Sequence, residues 1–422
     1  MNSETAINPQ FTAGLTAVVA YWQEQTISNT DDAVAALDTR RQNLYRAVVY
    51  GLKLEQTRRE TAVVILQAFH LAERRGYWHE WIPLLQNAAA ACPPDEPLLK
   101  ADLLNRLGEL YLTSRQLPAS IESHLQAEAI LKQTGEDHKR ANDLGAIDLV
   151  AIDLGANHLR HHVWSNLSMD YAFNRQYDLA EQYGQQALAG FRATNAPPKF
   201  HANVLNALGV AAWWRGQYDR AETLLREAVA IWRELNQFTD LLRSMNNLMG
   251  TLKAARKYDD VWPCYAEAVT YFSHNVGEYE KSLIEVSYGG ALYEQGQYDE
   301  AKAAFQRANS PYLQQSSYFY HRATVAQCLG NTFLAQNRLA DAAPHLEESA
   351  RLWRQFDDEL MLANTLGTIA ELYAQQGKAD DAIAQFEQAL ALLAKYPDDA
   401  WAKKLTADFT RQLQEQKNGG QP

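Results

Sequence analysis

The feature that most constrains the fold of this chain is a repetition at fixed spacing. The pattern Gly-Gln-Tyr-Asp-x-Ala occurs at 216–221 and again at 296–301. Aligning the sequence on its tyrosine gives positions 40 or 41 residues apart, with one longer step of 60, at Tyr77, Leu117, Tyr177, Tyr218, Tyr258, Tyr298, Leu339 and Ala379. A catalytic loop is rarely needed eight times, whereas a joint is needed in every unit of a repeat array.

Each unit has the apolar spacing of two amphipathic helices. Before the joint, large residues stand four apart, as in Leu107 and Tyr111. After it, small and large residues alternate at intervals of three and four, as in Ala221, Leu225 and Ala228. Such intervals place the residues on one face of a helix. The unit is therefore predicted to be a hairpin of two helices, in which the small residues allow close approach.

The joint residues predict where one helix ends and the next begins. Glycine ends the first helix because it adopts the left-handed conformation without steric penalty. Aspartate begins the second helix, where negative charge suits the exposed amides and the helix dipole. Three units carry arginine in place of the turn glycine, so those joints are expected to be shaped differently: Arg115, Arg175 and Arg256.

The pattern L-G-x-x-Y…G-x-Y-x-x-A…F-x-x-A resembles the tetratricopeptide repeat over residues 61–415. The resemblance implies an all-α, right-handed α-solenoid (superhelix) of about eight helical hairpins. The units are longer than the usual form, similar to kinesin light chain, Pins-type scaffolds and the sensor arms of MalT-like regulators. Residues 41–52 and 76–91 are similar to the start of such arrays in STAND-type signalling ATPases. No G-x-x-x-x-G-K-[ST] P-loop occurs in the sequence, so the resemblance implies a sensor arm without its motor, with or without a separate STAND ATPase.

The repeat period also predicts the domain organisation. Residues 1–60 are helical in pattern without a clear repeat and form an N-terminal cap, and 61–415 form the solenoid. The step of 60 contains an extra helical insertion at about 134–157. This insertion either lengthens the helices or adds to a binding face, because insertions in solenoids map to one face. Residues 416–422 are polar and glycine-rich and form a disordered tail.

Composition and motifs exclude several classes of function. The net charge is −12 and no run of basic residues exceeds two, which argues against direct nucleic-acid binding. The apolar window 61–69 is too short to span a bilayer, and the N-terminus lacks the features of a signal peptide, so a cytoplasmic protein without membrane contact is expected. The three cysteines form no C-x-x-C motif.

Signatures of catalysis and of metal binding are missing from the sequence. No G-x-S-x-G motif occurs and no carboxylate pair stands out, so the chain is predicted to be non-catalytic and to need no cofactor. His158 and His162 stand four apart on one helix face, with Asp153 nearby. A metal would need further ligands that the spacing does not supply, so a solvated or helix-capping pair is favoured over a metal site.

In the tetratricopeptide family the first helix of each unit lines the concave surface, and the resemblance implies that partners bind there. Two positions before the signature leucine, asparagine or glutamine recurs. A carboxamide both donates and accepts, so a column of them can pair with the backbone of an extended peptide. Aromatic neighbours would supply pockets. The candidate partner-binding residues are Asn105, His162, Asn203, Asn206, Trp213, Trp214, Arg243, Asn246, Lys253, Tyr293 and Gln327.

The strongest part of this set is cationic within an acidic chain: Asn203, Asn206, Trp213, Arg243, Asn246 and Lys253. It suits an acidic peptide or a C-terminal carboxylate through charge-assisted hydrogen bonds. The alternative is structural, in which the carboxamides satisfy helix-end groups or water between repeats. The sequence therefore predicts a protein- or peptide-binding scaffold or adaptor. A ligand-sensing regulatory arm is the alternative, whereas an enzyme hidden in the insertion would have too few residues for a domain.

Overall fold

The computed structural model describes residues 9–25, 30–137, 155–315, 318–356, 358–397 and 399–419. Over these ranges the regular structure is helical and contains no strand. In chain order the α-helices are α1 (Pro9–Glu24), α2 (Asp31–Asp38), α3 (Arg41–Gly51), α4 (Arg58–Gln67), α5 (Phe69–Arg75), α6 (Trp78–Ala90), α7 (Pro97–Thr113), α8 (Leu117–Asp137), α9 (Gly155–Phe173), α10 (Tyr177–Ala193), α11 (Pro198–Trp214), α12 (Tyr218–Glu234), α13 (Phe238–Ala254), α14 (Tyr258–Thr270), α15 (Glu278–Glu294), α16 (Tyr298–Ala308), α17 (Pro311–Gln315), α18 (Phe319–Ala335), α19 (Leu339–Gln355), α20 (Glu359–Gln375), α21 (Ala379–Leu393) and α22 (Ala400–Lys417).

Successive helices from α4 to α21 pair as hairpins. The first helices are α4 with α5, then α7, α9, α11, α13, α15, α18 and α20, and each packs against the helix that follows its joint. We call the first helices A-helices. The short α17 lies between two hairpins, and α22 packs against α21. The prediction of an all-α array of about eight helical hairpins is confirmed.

Close approach within the hairpins depends on the small residue after the signature leucine. A Cβ atom added at Gly209 of α11 would lie 2.7 Å from Cγ of Leu225 on α12. At Gly330 of α18 it would lie 2.6 Å from Cγ of Leu346 on α19. Both distances are far below ordinary van der Waals contact. The leucines fill the space that the missing side chains leave, and both are fully buried.

All eight hairpin joints have a residue in the left-handed conformation at the same position. Positive φ angles between 56° and 75° occur at Gly76, Arg115, Arg175, Gly216, Arg256, Gly296, Asn337 and Gly377. In each joint the following amide donates to a carbonyl five residues back, as Lys257 N does to Leu252 O at 2.8 Å. This is the Schellman closure of a helix C-terminus. The expectation that the arginine joints are shaped differently is wrong, because this hydrogen bond fixes the turn whichever residue stands there.

Replacing Arg256 by glycine is expected to raise the free energy of unfolding by about 0.5–1 kcal/mol. A left-handed L-residue costs about 1–2 kcal/mol, part of which the greater flexibility of glycine offsets. Urea denaturation followed by circular dichroism measures the change. Gly216→Ala is the matched control. Its added Cβ meets no heavy atom within 4 Å, so backbone strain alone should lower stability by about 1 kcal/mol. An unchanged or lowered stability of Arg256→Gly would contradict the prediction.

The chain forms two compact units, residues 1–277 and 278–422. The repeat period continues through this boundary and does not indicate it. In the first unit, α1 packs against α3 and α4, and α2 packs against α5. The predicted insertion at about 134–157 lies mostly outside the described residues, between the end of α8 at Asp137 and the start of α9 at Gly155. The predicted cap at 1–60 and tail at 416–422 stay predictions.

Candidate functional site

In the unit 1–277, the predicted binding residues lie on α7, α9, α11 and α13. We call the side of these four helices on which those residues lie the A-helix face. Four of its polar residues are already joined. Asn105 is fully buried; its Nδ2 donates to Glu109 Oε1 at 3.0 Å, and its Oδ1 accepts from Asn166 Nδ2 at 3.0 Å. His162 Nδ1 lies 3.5 Å from Asn105 Nδ2, and its Nε2 lies 3.6 Å from Glu109. At the α7–α9 end of the face, these four side chains therefore contact one another.

A second rung of carboxamides joins α11 to α13. Asn247 Nδ2 donates to Asn206 Oδ1 at 3.0 Å, and Asn246 lies beside Asn247 at 3.4 Å. Unlike Asn105, these three side chains are half-buried. Asn203, one turn before Asn206, is also half-buried. Amide groups on this part of the face therefore reach solvent while their orientation is fixed by a neighbour.

Next to the second rung lies an aromatic and cationic edge. Trp213 Cζ2 would stand 4.0 Å from a Cβ added at Gly250, so the indole covers the glycine of the neighbouring A-helix. Lys253 stands at the repeat position of α13 that Trp213 holds on α11, and both are half-buried. The Trp214 ring lies 4.7 Å from that of Trp213 and is 36% exposed, with the Arg175 guanidinium 5.7 Å from its centre.

Helix α5 covers the other end of the same face. Its Glu73 forms an ion pair with Arg243 of α13. The neighbouring Arg74 lies 2.6 Å from Asp31 of α2 and 3.1 Å from Asp240 of α13. Arg243, which the sequence predicts to meet a ligand carboxylate, thus holds a carboxylate of its own chain.

Burial and neighbouring charges shift the pKa values of three side chains on or beside this face. It lowers the pKa of His162 to about 4, against the weaker opposing effect of Glu109. It raises the pKa of Asp102 to about 6, although Arg106 lies 3.7 Å away. For Glu73, burial alone would raise the pKa, but Arg243 and His70 hold it well below its usual range. Above pH 6.5 the face therefore carries neutral His162 and ionised Glu73.

The two remaining predicted residues lie in the unit 278–422. Gln327 is buried on α18, and its Oε1 accepts from Thr365 Oγ1 of α20 at 2.6 Å. Tyr293, at the end of α15, is half-buried with its ring 5.4 Å from that of Tyr298. Gln327 occupies the next position of the carboxamide column, but its side chain bonds one A-helix to another.

Sequence reasoning missed the partners that complete the rungs, Asn166 and Asn247. Each directly precedes its signature leucine, one position later than the predicted column. A rung runs from the predicted position on one helix to the next position on its neighbour, as Asn105 to Asn166 and Asn206 to Asn247. The recurrence of asparagine directly before the leucine was a readable signal. No recurring sequence position indicated that Glu73 would form an ion pair with Arg243.

The histidines singled out as a possible metal pair do not converge. His162 points toward Glu109, whereas the His158 ring lies 6.5 Å from that of His161. Asp153 lies outside the described residues. Across the described ranges, no three His, Cys, Asp or Glu side chains gather closely enough to hold a metal ion. None of the described helices combines the length and apolarity needed to cross a bilayer.

Stacked hairpins joined by identical turns define the class of this chain, an α-helical repeat protein. The family model described as tetratricopeptide repeat matches residues 159–234 and 321–395. The chain therefore contains tetratricopeptide repeats over these residues.

The chain is also similar in sequence to one regulatory protein. Regulatory protein RapG of Bacillus subtilis is 23% identical over 158 residues, which is 37% of this chain and 43% of RapG. The chain thus aligns with less than half of that relative. A Rap protein crystallised with the competence and sporulation factor has a TM-score of 0.55 at 14% identity, over 85% of this chain and 98% of that one. A STAND protein with a tetratricopeptide sensor from Pyrococcus horikoshii has a TM-score of 0.54 at 12% identity, over 96% of this chain and 56% of that one. At these identities the structural likeness concerns the fold.

Proposed function

We propose that this chain is a non-catalytic, peptide-binding scaffold or adaptor that takes an extended peptide on the α11–α13 part of the A-helix face. The rung from Asn206 to Asn247 is the observation that carries the proposal. It holds carboxamides in fixed orientation on a half-buried surface, where their remaining donors and acceptors can pair with a peptide backbone.

Trp213 and Lys253 complete this part of the face. The indole over Gly250 offers a flat apolar wall for one peptide side chain. Lys253 supplies a positive charge for an acidic side chain or a C-terminal carboxylate. A ligand carboxylate at Arg243 would have to compete with Glu73, which already forms an ion pair with that arginine. The likeness to a Rap protein in complex with a peptide factor supports a peptide as the ligand class.

A ligand-sensing regulatory arm is the second candidate, favoured by the ion pair between Glu73 and Arg243. A ligand whose carboxylate takes Arg243 must displace Glu73 and loosen α5, which would couple binding to the position of the N-terminal helices. The match to RapG, a regulatory protein, supports this candidate. Hydrogen exchange separates the two, since only the sensing arm predicts faster exchange in α5 when peptide binds.

The test of peptide binding starts from a displayed library of random peptides with free C-termini. Enriched sequences are synthesised with a fluorophore, and anisotropy gives their Kd. Trp213→Ala and Lys253→Glu should each weaken binding at least about tenfold, which is about 1.4 kcal/mol. Amidation of the peptide C-terminus should weaken it similarly if the carboxylate is what Lys253 holds.

The matched control is Lys378→Glu, which reverses the charge of a lysine at a hairpin joint of the unit 278–422. Its Nζ lies 5.5 Å from the centre of the Tyr373 ring, and the substitution should leave Kd unchanged. Failure to enrich any peptide, or equal binding by wild type and both A-helix-face variants, would contradict the proposal.

A further inference from the structure

The surface of the N-terminal helices contains an apolar groove that no part of the proposed peptide site uses. It lies between α1 and α3 and has a volume of about 350 Å³. Leu15, Trp22 and Ala47 are buried and form its floor, whereas Val18 and Tyr50 stand 44% and 47% exposed along its sides. A groove with apolar walls open to solvent marks a contact surface more often than an isolated exposed side chain does.

The two helices run antiparallel along this groove. The Phe11 ring, at the start of α1, meets the Tyr50 ring, at the end of α3, with centres 6.2 Å apart. At the opposite end, the Arg40 guanidinium lies 5.2 Å from the Trp22 ring. Eleven residues of α1 separate Phe11 from Trp22, which is about 16 Å at 1.5 Å per residue. The groove therefore has the length of about three turns of a partner helix.

The rim of the groove is cationic although the whole chain has a net charge of −12. Arg46 lines the groove, Lys53 lies 5.1 Å from the centre of the Tyr50 ring, and Arg40 flanks the far end. Within the described residues, none of these three has a carboxylate at ion-pair distance. Helix α1 contains a single charged residue, Glu24. The partner that complements this surface is apolar along one stripe and acidic on its flanks.

We propose that the α1–α3 groove is a second interaction surface, which binds an acidic amphipathic helix of another protein. Apolar side chains of that helix at i, i+3 or i+4, and i+7 enter the groove, and its carboxylates meet Arg46, Lys53 and Arg40. A second copy of this chain is a poor occupant, since a symmetric contact through the groove would place the same arginines and lysine against each other. A concave floor suits an inserted helix better than a flat lipid surface.

The test uses two synthetic stapled helices of about 16 residues that share one leucine stripe. One has glutamate on both flanks, and its twin has lysine there. Fluorescence anisotropy is expected to show the acidic helix binding at least about tenfold tighter than the basic twin. Val18→Glu should abolish binding of the acidic helix. The double variant Arg46→Glu with Lys53→Glu should invert the preference between the two probes.

Two controls make the outcome specific. Val269→Glu changes a valine that is 38% exposed elsewhere and should leave binding unchanged. Thermal melting by circular dichroism confirms that each variant is folded. Equal binding of both probes, or an unchanged preference in the double variant, would overturn the proposal. So would binding only to vesicles containing phosphatidylglycerol, or self-association that Val18→Glu abolishes.

Discussion

Replacing Asp170 by alanine is expected to lower the free energy of unfolding by about 3–5 kcal/mol, the range for breaking a buried ion pair. Asp170 of α9 and His124 of α8 are both fully buried, with Oδ2 and Nδ1 2.7 Å apart. The other ring nitrogen, Nε2, lies 3.1 Å from the carbonyl oxygen of Asn105 on α7. Because both partners accept, both nitrogens must donate, and the ring is an imidazolium. Removing Asp170 leaves this cation without its counter-charge.

Neighbouring residues accommodate the ion pair of Asp170 and His124. A Cβ at Gly108 would lie 2.4 Å from His124 Nε2, so glycine is what lets the ring reach the backbone of α7. Ser120 Oγ lies 2.8 Å from the other oxygen of Asp170. The matched control is Asp178→Ala. Asp178 forms an ion pair with Arg215, but its side chain is 97% exposed. Because water screens this pair, the loss of Asp178 should change the free energy of unfolding by less than about 1 kcal/mol. Urea unfolding of both variants gives the comparison, and equal losses would contradict the role of burial.

The same pair predicts a pH dependence with a definite sign. Burial alone would lower the pKa of His124, but the charge and hydrogen bond of Asp170 outweigh it, and the pKa is raised. The stabilisation is therefore complete below the unfolded value of about 6.5 and is lost as pH rises through the higher folded value. The stability difference between wild type and His124→Gln should be largest below pH 6 and shrink at alkaline pH. A difference that grows with pH would contradict the assignment.

The sequence predicted local features well and contacts between distant parts of the chain poorly. The 40-residue period located all eight joints, because the Schellman closure involves only residues within one turn of each other. For the same reason Arg115, Arg175 and Arg256 misled: local preference favours glycine there, but the hairpin imposes the conformation. The carboxamide column was found at one position and missed at the next, since a rung crosses between helices, as from Asn206 to Asn247.

The contacts of α5 and α2 with α13 could not be read from the repeat. Glu73 and Arg243 are separated by 170 residues, and Asp31 and Thr239 by 208. Period and composition carry no information about which acidic residue of a non-repeating segment meets which repeat. This is why Arg243 could be identified as a cation suited to a carboxylate, whereas the carboxylate that it holds in the structure could not.

Replacing Arg74 by methionine is expected to have the second large effect, about 3–5 kcal/mol on the attachment of the N-terminal helices. Only 4% of the Arg74 side chain is exposed, and it joins Asp31 of α2 to Asp240 of α13. Burial alone would lower the pKa of Arg74, yet the surrounding carboxylates raise it, so the cation is held firmly. Without it, the two aspartates face each other across a buried contact with no positive charge between them.

Hydrogen exchange read by mass spectrometry measures this effect where it should occur, in α2, α5 and the start of α13. Thr239 would still donate its amide and hydroxyl to Asp31, so faster exchange rather than loss of the fold is expected. The matched control is Arg41→Met, which breaks the half-exposed pair of Arg41 and Glu80 at 3.3 Å and should cost less than about 1 kcal/mol. If apolar contacts mainly hold α2 and α5 in place, the amides of these two helices will exchange at similar rates in Arg74→Met and in Arg41→Met. If the ion pairs hold them, α5 will open, Arg243 will lose Glu73, and a carboxylate-bearing peptide selected on the wild type will bind Arg74→Met more tightly.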